Sequence, residues 1–431
     1  MPKSRDVLYN AGEVTVDEIR IVSFNGNEFD LKGIIGDFSI YEDIYSNFLS
    51  GSIVFPDSIN MVKNLPIIGQ EKLYITFNTP GFDKTPRKLK FDVYKISTYV
   101  RGTGAVTLTI RLEFISSIAN ISSQLKLNRV MKNIPYSDMV DSIHKDMKVF
   151  DPDLPPMIKI SKTYGHSTVI IPNWSPLYVI NWLAHRSVFL NNQKQADYLF
   201  YQTLDGFNFA PLSLLKEAKP VGKFTNYPGG FRDKSGERDI KKELYNITNY
   251  VVDSMTDKPK ETKTGIYASH ILVHETTTKS YYTSLFSYRK SFDDTPHLNK
   301  GRMVTSENEL QNKYSSLLKY YDKSFYVFDE IDDSSYIDHA LDRQSLLNRM
   351  NTMKMTVDVY GNTRLRVGNI IEMEFYTSEY TNKKSSDFLD PYLSGKYMIT
   401  SIMHNVVEGV HTMRMTITRD SYYESLPNKK A

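Results

Sequence analysis

The sequence predicts a mainly β protein with α+β insertions, and three observations carry that prediction. Apolar and polar residues alternate with period two through the first hundred-odd positions, helical stripes are confined to later windows, and a second alternating segment near the end repeats the order of the first. Thirty tyrosines and twenty-two phenylalanines against two tryptophans lean the same way, because aromatic side chains suit a pleated, half-buried surface. At 431 residues the chain is long enough for several domains with cores of their own.

The elements follow in chain order. Ile19 and Ile21 alternate with Glu18 and Arg20, and Asn25-Gly26 supplies a tight turn before a return strand from Glu28 to Lys32. Strands are then expected at Gly51 to Phe55 and Lys72 to Phe77. A clean alternating strand follows from Val106 to Phe114, with Gly102-Thr103-Gly104 as a hairpin turn in front of it. Between 118 and 222 the character changes to a compact α/β insertion. Ser137 is placed as the cap of a helix whose Met139, Val140, Ile143 and Met147 share a face, and Ser175-Pro176 as an N-cap followed by a favoured first-turn proline. The second helix carries Leu177, Ile180, Leu183, Ala184 and Val188 on a stripe, and Tyr198 to Phe209 reads as a hairpin turning near Asp205-Gly206.

Pro220 to Asp239, with Pro228-Gly229-Gly230 and a run of mixed charge, reads as an exposed loop or a boundary. Strands are expected at Tyr245 to Val252, Ile266 to His274 and Tyr281 to Arg289, and helices around Glu307 to Lys319 and Ser335 to Met350. The final segment echoes the first. Ser52 to Phe55, Gly69, Leu73 to Phe77, Phe91 to Ile96 and Val106 to Phe114 correspond in order to Met353 to Val359, Gly368, Ile370 to Phe375, Lys396 to Ile402 and His411 to Thr418.

Composition excludes several classes of function. Fifty-three basic against fifty acidic residues give a net charge of +3, less than a dedicated nucleic-acid binder carries. The absence of cysteine removes disulfides, thiolate zinc sites and cysteine nucleophiles. No apolar run approaches the ~18 residues of a spanning helix, and the basic start lacks an apolar secretory core, so synthesis in a cytosol is expected. His270 and His274 have zinc-helix spacing, but Ile271-Leu272-Val273 between them favours a strand, which holds them ~13 Å apart. Asp329, Glu330, Asp332 and Asp333 break the calcium-loop pattern and precede a helix, where they compensate its dipole. Tyr281, Tyr282, Phe286 and Tyr288 beside Lys279, Arg289 and Lys290 combine aromatics with cations as a single-strand nucleic-acid platform does, but the favoured reading is a surface strand used for packing or subunit contact. Trp174, Pro176, Trp182 and Gly206 read as core, cap and turn positions. No catalytic, cofactor-binding or metal site emerges.

Two stretches resemble the baseplate hub proteins of contractile, T-even-type phage tails, which are related to the hub portion of type VI secretion spikes. The first runs from Tyr41 to Asn60 and continues through Pro66-Ile-Ile-Gly-Gln-Glu71. The second runs from Asn173 to Arg186 and continues through Asp197 to Tyr201 and Asp205 to Phe209. Tyr360 to Ile371 and Gly395 to Ser401 resemble the family's second barrel. The resemblance implies two similar antiparallel tube-type β-barrels per chain, in a homotrimer whose six barrels meet a sixfold tail tube on one face and a threefold spike on the other. The boundaries expected are 1–118 for the first barrel, 119–222 for the α/β insertion, 223–254 for the start of the second barrel and 255–334 for a peripheral β-rich insertion. Residues 335–421 then form a helix and the rest of the second barrel, and 422–431 a tail.

The implied function is a noncatalytic structural hub in the virion baseplate. Its partners are the central spike protein trimer, the tail tube protein and baseplate wedge proteins touching residues 255–330. Genomic DNA passes through the lumen without specific binding, and there is no membrane insertion and no cofactor. Exposed edge strands of neighbouring subunits are expected to pair, with Thr109 and Thr416 at that interface. Two alternatives stand beside this reading: a hub of a phage-derived or type VI secretion particle and, in another class, a carbohydrate-active or glycan-binding β-protein.

Overall fold

A computed structural model describes residues 8–57, 67–81, 86–101, 108–226, 239–275, 278–303, 318–323, 335–376, 389–390 and 392–423. The first seven strands are β1 (Thr15–Val22), β2 (Glu28–Asp30), β3 (Asp37–Asp43), β4 (Ser50–Asp57), β5 (Lys72–Asn78), β6 (Arg87–Arg101) and β7 (Leu108–Ser116). The insertion follows as α1 (Ser117–Gln124), β8 (Leu127–Ile134), α2 (Tyr136–Phe150), β9 (Met157–Ile160), β10 (Ser167–Trp174), α3 (Pro176–Arg186), β11 (Tyr198–Thr203), β12 (Gly206–Pro211) and α4 (Leu212–Lys216). Then come β13 (Lys223–Thr225), α5 (Ile240–Glu243), β14 (Ile247–Met255), α6 (Lys258–Lys263), β15 (Ala268–Glu275), β16 (Ser280–Ser287), α7 (Tyr288–Asp294) and β17 (Leu318–Lys323). The chain closes with α8 (Ser335–Arg349), β18 (Met353–Tyr360), β19 (Ile370–Glu374), β20 (Gly395–Val407) and β21 (Val410–Arg419).

One large sheet runs β14-β18-β21-β20-β3-β4-β7-β6-β5-β1-β2 and forks at β20, whose first part pairs with β19, which in turn pairs with β13. This sheet is two barrels joined side by side. The alternating residues predicted to face inward do so: Ile19, Ile21, Ile53, Phe55, Leu73, Ile75, Phe77, Ile110, Leu112 and Phe114 form the buried core of the first barrel. Met355, Val357, Val359, Ile370, Met373, Met398, Met413 and Met415 belong to the core of the second. Each fully buried side chain of this size contributes about 1.5–3 kcal/mol.

The internal repeat holds at the level of strand pairing. The order β4-β7-β6-β5 in the first barrel matches β18-β21-β20-β19 in the second, all antiparallel. Gly69 and Gly368 stand before β5 and β19 with φ of 86° and 84°, a left-handed conformation that glycine adopts without strain. The amide of Val93 donates to the carbonyl of Glu71, and that of Ile399 to the carbonyl of Asn369, each at 2.9 Å. Immediately beyond both, the register against the last strand slips by one residue, between Val93 and Lys95 and between Ile399 and Ser401. A bulge at the same place in both barrels fixes the residue equivalence without needing sequence identity.

The insertion has a separate core in which Met139, Val140, Ile143 and Met147 of α2 meet Leu177, Ile180, Leu183 and Ala184 of α3. Val188, expected on the α3 stripe, lies beyond the helix end. Ser137 is not the cap of α2: the helix begins at Tyr136 after Pro135, and the hydroxyl of Thr163 accepts the Ser137 amide at 3.0 Å. Pro176 does open α3, and there Ser122 accepts the amide of Leu177 at 3.1 Å. In both helices a distant hydroxyl replaces a local cap. The hairpin β11–β12 turns at Leu204-Asp205 as expected.

Three expectations need correction. The loop placed over Pro220 to Asp239 contains β13, which runs parallel to β19, while residues 227–238 lie outside the described residues. The strand expected to reach Arg289 ends at Ser287, where α7 begins. Of the helix placed at Glu307 to Lys319, the described part, from Leu318, is strand β17. The turn at 102–104 and the acidic group at 329–333 lie outside the described residues.

Candidate functional site

Two barrels and an insertion have to be held in one arrangement, and the residues that do so converge on the seam between β20 and β3. From Ser401 to Val407, β20 pairs antiparallel with Asp43 to Asp37 of β3, so one strand belongs to both barrels. The Ser39 hydroxyl donates to Asn405 across this ladder at 2.9 Å. Beside it, Thr79 of the first barrel and Thr363 of the second exchange reciprocal bonds, each amide donating to the other's hydroxyl at 3.1 Å. The two barrels therefore meet through a backbone ladder and short polar side chains as well as through apolar contacts such as Val406 in the first core and Ile44 in the second.

Glu42, at the end of β3, is fully buried. One of its oxygens accepts the amide of Leu204 from the insertion and the other the amide of Val367 from the second barrel, both at 3.2 Å. A carboxylate bonded to amides of two other units fixes all three together, since an unmet buried carboxylate is costly. Asp205, the next residue of the same insertion turn, does the reverse and receives cations from both barrels. Arg366 of the second barrel reaches it with Nε at 2.8 Å and Nη2 at 3.2 Å, and Arg87 of β6 also pairs with it. Burial alone pushes the Asp205 carboxyl up, but the Arg366 and Arg87 guanidiniums outweigh it and hold its pKa below the ordinary carboxylate range. Arg366 is also fixed from behind by donating to the carbonyls of Thr363 and Leu365 at 2.6 and 2.7 Å.

A buried histidine pair lies on the same seam. His404 Nδ1 is 3.2 Å from His411 Nε2, and His404 Nε2 stands 3.5 Å from Glu42. Burial, and secondarily the neighbouring His404, lower the pKa of His411 well below that of a free imidazole. His411 packs edge-on to Phe77 and fills the space that a side chain at Gly361 would need, while its backbone amide donates to Gly12 at 2.7 Å. These histidines went unnoticed as a pair in the sequence. The available signal was their position in inward-facing rows, Ile402-His404-Val406 and His411-Met413-Met415, on the two arms of one hairpin.

The geometry is that of a joint, built from hydrogen bonds and paired charges that cross between the units. Among the described residues no group of three or more histidines and carboxylates is placed to hold a metal ion. His270 and His274 lie in β15, each paired into its ladder. A cleft of about 360 Å³ between the first barrel and the insertion is lined by Lys72, Lys90, Asp92, Asn120 and Asp151, but its charges are already matched, Lys72 to Asp92 at 2.6 Å and Lys90 to Asp151 at 2.8 Å. The aromatic group of β16 and the start of α7 is divided: Tyr281 is exposed, whereas Phe286 and Tyr288 pack inward with Tyr267 and Phe292. Trp174 and Trp182 pack against the insertion core, and Gly206 has φ 143° where a side chain would strike the carbonyl of Pro156.

Thr109 and Thr416 were placed on exposed edges by sequence, and the structure locates both in interior strands. Thr109 of β7 lies between Pro56 and Val100, and Thr416 of β21 between Thr356 and Ser401. The clean alternation that makes these strands easy to recognise reports one buried and one open face, and it does not distinguish a central strand from an edge strand. Among the described strands, β14 and the second half of β6 each have one side unpaired.

No family model matches the chain. In sequence it is similar to a probable baseplate hub protein of Vibrio phage KVP40, 21% identical over 406 residues and covering 89% of each chain. In fold it is similar to a tail protein from Neisseria meningitidis MC58, with a TM-score of 0.55 at 9% identity, covering 94% of this chain and 96% of that one. It is likewise similar to the 43 kDa tail protein of prophage MuSo2 from Shewanella oneidensis, with a TM-score of 0.54 at 9% identity, covering 94% and 99%.

Proposed function

We propose that this chain, similar to a baseplate hub protein in sequence and to phage tail proteins in fold, is a noncatalytic structural hub that works as a homotrimeric ring in a virion baseplate. The observation that carries this reading is the internal repeat: two barrels of one topology, joined edge to edge by the β20–β3 ladder. Three chains with two such barrels each present six similar units toward a sixfold tail tube. The same ring stays threefold wherever the two barrels differ, toward a central spike trimer and toward the wedge proteins outside. A head-to-tail contact of this kind closes into a ring when its rotation divides the circle.

The charge balance fits a passage for genomic DNA. Affinity for a duplex grows with each phosphate neutralised, and a lumen that held DNA tightly would obstruct ejection, so a net charge of +3 over 431 residues suits transit. The native mass of the purified chain, alone and mixed with the spike protein of the same particle, tests the proposal. Three chains of 49.8 kDa give about 150 kDa, and a stable monomer in both samples would overturn the ring.

A further inference from the structure

The repeat makes each strand of one barrel a prediction about its counterpart in the other, and for one pair of edges the counterparts differ in what covers them. β3 lies beside β4 as β14 lies beside β18. Through those ladders Phe38 corresponds to Tyr250, Ile40 to Val252, Tyr41 to Ser254 and Glu42 to Met255. On the other side of the seam β20 corresponds to β6, and the shared bulge places Ile402 opposite Met415 as Ile96 stands opposite Leu112. Met403 and Thr98 follow as the next equivalent pair, against Arg414 and Arg111.

Phe38, Ile40 and Ile402 are at most 1% exposed, because β3 and β20 are zipped together. Their counterparts Tyr250, Val252 and Ile96 are 36–37% exposed. β14 bears exposed residues along nearly its whole length, including Val251 and Met255, and pairs only with β18 among the described strands. Among the described strands β6 from Lys95 onward pairs only with β7, and Tyr94 and Ile96 stand exposed near Ile67 and Ile68. The chain thus carries one filled seam and the two unfilled halves of a second, at opposite ends of the pair of barrels. An apolar, unpaired edge is a template for another strand.

We infer that β14 of one chain adds antiparallel to the second half of β6 of another copy, in the register of the β20–β3 seam. Ile96 of one copy then faces Met255 of the next, as Ile402 faces Glu42, and Thr98 faces Ser254, as Met403 faces Tyr41, with Ser97 left out of the ladder by a second bulge that β6 carries and β20 lacks. This inference rests on the ring reading and adds to it the strands, their direction and the residues in contact. It also sets the two seams apart chemically. The seam within a chain carries Glu42, whereas the corresponding position between chains carries Met255 and is lined by Tyr250, Val251 and Val252, without a titratable group at the position equivalent to Glu42.

Because the chain has no cysteine, paired substitutions report on the contact alone. Directly opposed residues in an antiparallel ladder have Cα atoms about 4.5–5.5 Å apart, within disulfide reach. The full-length double variant Ile96→Cys with Met255→Cys, and independently Thr98→Cys with Ser254→Cys, should oxidise to disulfide-linked dimers and trimers on non-reducing gels. A displaced pair, Ile96→Cys with Val252→Cys, sits about 10 Å out of register and should not link. Trimers by native mass in which both in-register pairs stay unlinked, or in which the displaced pair links equally, would overturn this register while leaving the ring intact. Unlinked monomers of every variant and of the unmodified chain would overturn both.

Discussion

The cores of the two barrels share a strand order, a bulge and a left-handed glycine, yet they are filled with different side chains. In the first, Gly51 stands opposite Phe114, and the equivalent pair in the second is Met355 opposite Ile417. Leu112 and Ile110 of the first become Met415 and Met413 of the second, and Ile75 becomes Met373. One barrel is thus packed with flat rings around a small residue and the other with flexible thioethers, which adapt to irregular gaps. The comparison teaches that this topology is specified by period, register and turn geometry, with volume kept at single positions by Leu-to-Met and Ile-to-Met exchanges and shared across one facing pair at Gly51 and Phe114.

The largest expected effect comes from exchanging the partners of one such pair. A Cβ at Gly51 would collide with the ring of Phe114 and the carbonyl of Ser39, so Gly51→Met, which imports the second barrel's residue into the first, should abolish soluble folded protein. The reciprocal change Met355→Ala should leave a folded chain weakened by about 2–5 kcal/mol in urea titration. If Gly51→Met folds with an unchanged midpoint, the two cores are more interchangeable than their packing implies.

A smaller effect separates the barrels by pH. His411 corresponds to Leu108 in the first barrel, and its folded-state pKa lies well below the ordinary 6.5 through burial and its neighbour His404. The fold holds the neutral ring, so this contribution is fully present above about pH 6.5 and is lost as pH falls, by at most about 1.4 kcal/mol per pH unit. The unfolding free energy of His411→Leu should change less steeply between about pH 6.5 and about pH 5 than that of the unmodified chain. Equal slopes would mean that this histidine is not held neutral by the seam.

The smallest difference lies on the outer surface. Arg414 pairs with Asp358 across β21 and β18 at 2.7 Å, where the first barrel has Arg111 opposite Val54. Arg414 is largely solvent-exposed, so Arg414→Ala should cost no more than about 1 kcal/mol in the same titration. A larger loss would mark this pair as part of a contact.

Much of this architecture is legible in the amino-acid sequence. Alternation in Met353 to Val359 and in Leu108 to Phe114, the glycines at 69 and 368, and the stripes of α2 and α3 are local signals, and local signals survive folding. What was not legible depends on who sits next to whom. β3 reads poorly because it is covered on both faces, which erases alternation. β13 is only three residues long. Glu42 and Asp205 look like ordinary surface carboxylates until the turn at Leu204-Asp205 is brought between the barrels. The edges are not legible for the same reason: alternation reports which face of a strand is buried, not which strands lie beside it, and β14 and the end of β6 are distinguished only by comparison with their covered counterparts.

The seam between β20 and β3 also sets a timetable. Ser39 and Asn405 bond across it although 366 residues separate them in the chain. At ribosomal speeds of 5–20 residues per second, β3 emerges roughly 20 to 70 s before its partner exists. Through that interval the first barrel can close its own core while the backbone of β3 waits with one side unbonded. The most crowded moment for this protein is therefore on the polysome, where several nascent chains expose the same edge at once. Slow translation through residues 44–400 would lengthen that exposure, and with it the opportunity for neighbouring unfinished chains to pair with each other.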